Sequence, residues 1–142
     1  MERLLERFEG ELGDPQGKGL FALATTFAEI QKHLTRHFAK EEGVFYPALA
    51  AELGAADAEI SKLLDDHTQV RETSSAMEAL LNQASPGTDL PISQRAELSS
   101  LGWALWNLIH HHIEEEEQGL LAFADRKLDA GSQTRLAARM TD

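Results

Sequence analysis

Cysteine is absent from this chain of 142 residues. That excludes disulfides, thiolate zinc sites, iron–sulfur clusters and thiol nucleophiles at one stroke. Basic residues are scarce: 13 Lys+Arg stand against 24 Asp+Glu, a formal charge of −11. A chain this acidic lacks the clustered cations that bind phosphate backbones or anionic lipid. No segment approaches the roughly 18 apolar residues of a membrane span. The start MERLLERFEGELG is charged throughout and has no apolar stretch like that of a signal peptide. Neither a P-loop, a dinucleotide fingerprint nor a Ser/His/Asp nucleophile set can be found. What is left is an acidic protein expected in the cytoplasm, with no nucleic-acid or membrane partner. Its length suits one domain, 1–142, built on a single core.

Proline occurs only 4 times and glycine 10 times, and their clustering marks the breaks. GDPQGKG (Gly13 to Gly19) and SPGTDLP (Ser85 to Pro91) are strong breakers, with Ser93 placed to cap the last helix. The stretch around Gly54 and Asp57 is weaker. Nothing alternates with period two over a useful length. The pattern predicts four helices, at roughly 1–12, 19–52, 56–84 and 92–128, the second kinked at Pro47. Residues 129–142 form a peripheral tail. Four helices with short connections predict an all-α, antiparallel up-down-up-down four-helix bundle.

The helical seams carry the functional signal. Leu23, Phe27, Ile30 and Leu34 step by 4, 3 and 4, and the next steps land on His37 and Glu41. Ile60 and Leu63 lead to His67, then Val70, Ser74, Met77 and Leu81. Leu101, Leu105 and Leu108 lead to His112, and four residues later comes Glu116. Such spacing marks the face turned towards neighbouring helices. With a rise of about 1.5 Å per residue, Glu41 and His67 both lie roughly 18 Å from the turn joining their helices. His67 and His112 lie roughly 26 and 30 Å from the next turn. A common layer is therefore expected.

His37, Glu41, His67, His112 and Glu116 are thus candidate metal ligands converging between helices. The i,i+4 pairs His37/Glu41 and His112/Glu116 each place two donors on one helix face. Mixed nitrogen and oxygen ligation suits iron, manganese or zinc. Two carboxylates between imidazole-bearing halves also suit a pair of metals, each carboxylate able to bridge. Without metal, Glu and His buried in an apolar bundle are costly; the alternative is that they are satisfied polar residues or rotate to the surface.

HFAKEEGVFYP (His37 to Pro47) and HIEEEEQGLLAF (His112 to Phe123) resemble the paired H-x-x-x-E segments of the hemerythrin-like, or HHE cation-binding, family. The DDH ending at His67 resembles the isolated histidine of that family's third helix. The resemblance covers about residues 1–128. It implies a four-helix bundle with a non-haem di-iron centre that binds or senses oxygen, nitric oxide, peroxide or iron itself. It also implies terminal ligation by His37, His67 and His112 and bridging by Glu41 and Glu116. The chain departs from the family in having no histidine before His33, where the first helix normally supplies one, and Arg71 where hemerythrins proper have a second third-helix histidine. Glu2 or Glu9 is the carboxylate placed to substitute from the first helix. Otherwise one iron is weakly held, missing or replaced by another divalent metal.

Neighbouring residues admit blander roles. His33 flanks the seam, and a register shift of one would exchange His112/Glu116 for His111/Glu115. Glu42 and Glu117 suit either second-layer acceptors orienting imidazoles or solvated surface. Trp103, Trp106 and Ile113 form a second apolar stripe suited to core or, if exposed, to a dimer interface; monomer and homodimer both remain open. Tyr46 reads as packing near the site. The readings are therefore a di-iron binding or sensing protein whose partner is a small diatomic ligand or oxidant, a peroxide-consuming di-iron enzyme, or a structural, partner-binding bundle with a degenerate site.

Overall fold

A computed structural model of the chain describes residues 1–13, 18–53, 57–83 and 90–120. All but a few of these residues are helical, and no strand occurs among them. The elements are α1 (Glu2–Leu12), α2 (Lys18–Lys40), a π-helical stretch π1 (Glu41–Phe45), α3 (Tyr46–Leu53), α4 (Asp57–Asn82), α5 (Ile92–Glu115) and a second π-helical stretch π2 (Glu116–Leu120). Because α2, π1 and α3 follow without a break, as do α5 and π2, the described residues form four helical runs. The architecture is all-α, in keeping with a four-helix bundle. The expected continuation of the last helix to 128 and the tail 129–142 lie outside the described residues, as do most of the breaker segments. Ser93 falls inside α5 rather than capping it; the Arg95 N–H bonds the Pro91 carbonyl, so the helix opens on Pro91.

The expected kink at Pro47 takes another form. Tyr46 N–H reaches back five residues to the Glu41 carbonyl, so the helix widens just before the proline. Pro47 has no N–H, and its ring would press on the carbonyl four residues earlier in a tight α-turn. A wider turn relieves that crowding. No proline follows π2 (LLAF), so proline does not account for the second stretch.

The chain divides into two compact units. Residues 1–33 and 69–109 form the first. Its core is apolar: Leu5, Phe8 and Leu12 of α1 are buried, as are Leu23, Phe27, Ile30, Val70, Met77, Leu98, Leu105 and Ile109. The α5 seam runs 98, 102, 105, 109, whereas Leu101 and Leu108, expected in it, are half-buried. Gly102 is the reason. It occupies a seam position with no side chain, and a Cβ there would collide with Leu12 Cδ2, with Cγ at 3.3 Å. Likewise Leu80 rather than Leu81 closes the α4 seam. Trp106 is half-buried and Trp103 exposed, their rings set edge to face 6.3 Å apart, so the second stripe is not core. Fully buried Thr26 donates to Glu11 at 2.9 Å and accepts from Arg7 at 3.2 Å.

The second unit comprises residues 34–68 and the described residues from 110 onward. Apolar Leu34, Phe38, Phe45, Tyr46, Ile60 and Leu63 are buried in it, and so are the polar residues Glu41, His67, His112 and Glu116.

Candidate metal centre

Three helical runs supply the polar cluster. His37 closes α2 and Glu41 opens π1 one turn later. His67 continues the Ile60–Leu63 face of α4. His112 lies one turn before the end of α5, and Glu116 opens π2. One donor atom from each of Glu41, His67, His112 and Glu116 lies within 4.8 Å of the others. His37 completes the set at its rim, its Nε2 at 3.1 Å from Glu41 and 3.9 Å from Glu116. All five expected residues therefore come together.

The imidazoles are held from behind. His67 Nδ1 donates to Glu42 Oε2 at 2.7 Å, and His112 Nδ1 faces Asp66 Oδ2 at 3.4 Å. These contacts turn both Nε2 atoms inward, 3.1 Å apart. His67 Nε2 faces Glu41 Oε1 at 3.3 Å, and His112 Nε2 abuts Glu116 Oε1. Yet Glu41 Oε1 and Glu116 Oε1 are buried oxygens with no aligned hydrogen-bond donor, a costly state in a dry interior. Inward imidazole nitrogens opposite orphaned carboxylate oxygens are the donor set a divalent cation takes, so these residues fit a metal. Phe38 stacks on His67, ring centroids 3.7 Å apart, and closes that side to water.

Electrostatics agree with the geometry. Contact with Glu116 and then Glu41 pushes His37 up to about 9. Burial disfavours the His112 cation, but Glu116 and Glu41 outweigh it and push it up to about 10. Burial likewise works against the Glu41 anion, but His112, His37 and His67 hold its carboxyl well below the usual range. The two carboxylates thus favour protons on His37 and His112, at nitrogens that a metal would claim. Burial, then the charges of Glu116 and Glu41, pushes the Tyr46 phenol up, and its hydroxyl donates to Glu41 Oε2 at 2.9 Å.

Behind His112 an outer layer runs to the surface. Burial and then Glu115 push Asp66 up, while Asp66 and then Lys62 hold Glu115 down at about 2. Lys62 Nζ reaches Glu115 at 2.7 Å.

Other candidates fall away. Glu2 and Glu9 are exposed on α1, and neither joins the group. His33 is half-buried and outside it as well. His110 and His111 are exposed and pair with Glu114 at 3.1 Å and Glu115 at 3.0 Å, so the register shifted by one does not form the cluster. Of the two open acceptors, Glu42 orients an imidazole and Glu117 is exposed. Asp66 is the functional residue that sequence reasoning misses. It sits inside the DDH segment, but its partner is on another helix, and a side chain one residue from a seam position gives no periodic sign of that.

The family model described as hemerythrin HHE cation binding domain matches residues 1–124. No curated protein and no solved structure matches the chain.

Proposed function

The chain belongs to the hemerythrin HHE cation-binding family, and on that basis we propose that the cluster holds non-haem iron and binds or senses a small oxidant or gas. The candidates are oxygen, nitric oxide, peroxide and iron itself. The observation carrying this reading is the pair of buried oxygens, Glu41 Oε1 and Glu116 Oε1, that have no well-aligned hydrogen bond and are crowded by inward imidazole nitrogens. In the proposed arrangement Glu41, Glu116, His37, His67 and His112 would hold the iron, a pair of ions being the first reading. Bound iron would supply the redox and gas-binding chemistry. The chain's own residues orient and shield: Glu42 and Asp66 fix the ring tautomers, and Phe38 keeps water from His67.

A single-ion site is the second reading, favoured by compactness. Bonds of about 2.1 Å put donors on opposite sides of one ion about 4.2 Å apart, close to the 4.8 Å spread of the four atoms. Anaerobic ferrous reconstitution followed by metal analysis and an absorption spectrum tests both. Two irons per chain supports the paired centre and one supports the single ion. No bound iron sinks both. Peroxide turnover beyond that of free iron would add catalysis to binding.

A further inference from the structure

Tyr46 is the first residue of α3 and is only 2% exposed. Its polar contacts are with two proposed ligands: the hydroxyl lies 2.9 Å from Glu41 Oε2 and 3.3 Å from His67 Nε2. The ring packs over His67, centroids 5.7 Å apart at 30°. One hydrogen bond to Glu41 would satisfy a buried phenol. The second approach, to the inward nitrogen of His67, places its oxygen among the donor atoms themselves.

The backbone explains how it gets there. In an α-helix the fifth residue after Glu41 would fall about 140° around the axis, away from it. In the π-turn that residue stacks back towards Glu41, and the Tyr46 N–H bond to the Glu41 carbonyl marks that stacking. The widened turn before Pro47 therefore aims residue 46 at the cluster.

We propose that Tyr46 is itself a metal ligand, its phenolate oxygen joining Glu41 and His67 on one ion. The inference rests on the iron-binding reading above. A hard ferric ion takes an anionic oxygen donor readily. On coordination the phenol O–H bond breaks, an oxygen–metal bond forms, and the proton passes to bulk water; no electron is transferred.

Tyrosine occurs once in the chain, so a tyrosinate signal has a single source. The test loads the wild-type chain and Tyr46→Phe with ferrous iron anaerobically and admits air. Iron content is then measured, with visible absorption and resonance Raman spectra excited in the visible band. The wild type is expected to show a phenolate-to-iron charge-transfer band with tyrosinate ring modes. Tyr46→Phe is expected to keep iron and lose both. Normal iron content in the wild type without tyrosinate modes overturns the ligand role and leaves the iron-binding reading standing. A wild type that takes up no iron overturns both. The wild-type spectrum decides the matter even where the variant fails to fold.

Discussion

His67 is the most enclosed member of the cluster. Phe38 covers one face, Glu42 holds its outer nitrogen, and its inner nitrogen meets Glu41, His112 and Tyr46. Glu116 is less enclosed but presents an oxygen with no aligned donor. If both are ligands, His67→Ala and Glu116→Ala should each lower bound iron to half or less of the wild-type content. Helical circular dichroism should persist, because the apolar seams on either side remain. Wild-type stoichiometry in both variants would show that the metal sits elsewhere. These residues were legible in the sequence because a 3–4 rhythm of apolar positions ran straight into them. His112 survived even though Leu101 and Leu108 were the wrong companions, since Leu105 belongs to both the apparent and the real seam. Asp66 and the position of Tyr46 depend on cross-helix neighbours and on a widened turn, which periodicity cannot express.

The two π stretches each open on a carboxylate that follows a histidine by four residues. Widened turns recur at functional sites because they re-aim side chains at a modest cost in hydrogen bonding. Gly43 lies within π1, and a Cβ there would meet nothing within 4 Å. Gly43→Ala should therefore be neutral or stabilising by up to about 1 kcal/mol, the usual gain in helix propensity. Deleting Gly43 should close the turn to ordinary α geometry while making Tyr46 the fourth residue after Glu41, about 40° around the axis, so the two keep to one face. The chain should stay helical and still take up iron. Melting curves and metal analysis of the two variants check this, and a deletion that binds no iron would refute it. Within the described residues the helix bounds were readable from the breakers, although Ser93 lies inside α5 rather than capping it. The π stretches were not, because sequence marks where proline disturbs a helix but not whether the helix bends or widens.

At the scale of the whole molecule the charge is −11, and most of the carboxylates among the described residues lie on solvated helix faces, with a few turned inward against histidines. That arrangement makes the metal-free protein sensitive to pH. His37 and His112 are raised from 6.5 to about 9 and about 10. Their stabilisation is fully present below about pH 6.5 and is lost as pH rises through the folded values. Glu41 is held below its ordinary 4.5, so its share is present above that pH and is lost in acid. The cluster therefore stabilises the metal-free chain most between about pH 4.5 and 6.5. Denaturant titrations of the metal-free protein should show stability falling between pH 7 and 10. Iron loading should flatten that alkaline limb, and metal-free stability that climbs through this range would contradict the assignment.

His37 differs from its companions in one further way. Its side chain is 40% exposed, whereas those of Glu41 and His67 are fully enclosed. The cluster consequently has a wet edge on α2, and His37 is the proposed ligand that can swing into water without opening the core. In the proposed metal-bound protein, affinity would be set largely by the enclosed residues. The pace of exchange would be set at the rim: a chelator would meet the ion first through His37, and removal would be paced by how often that one imidazole lets go.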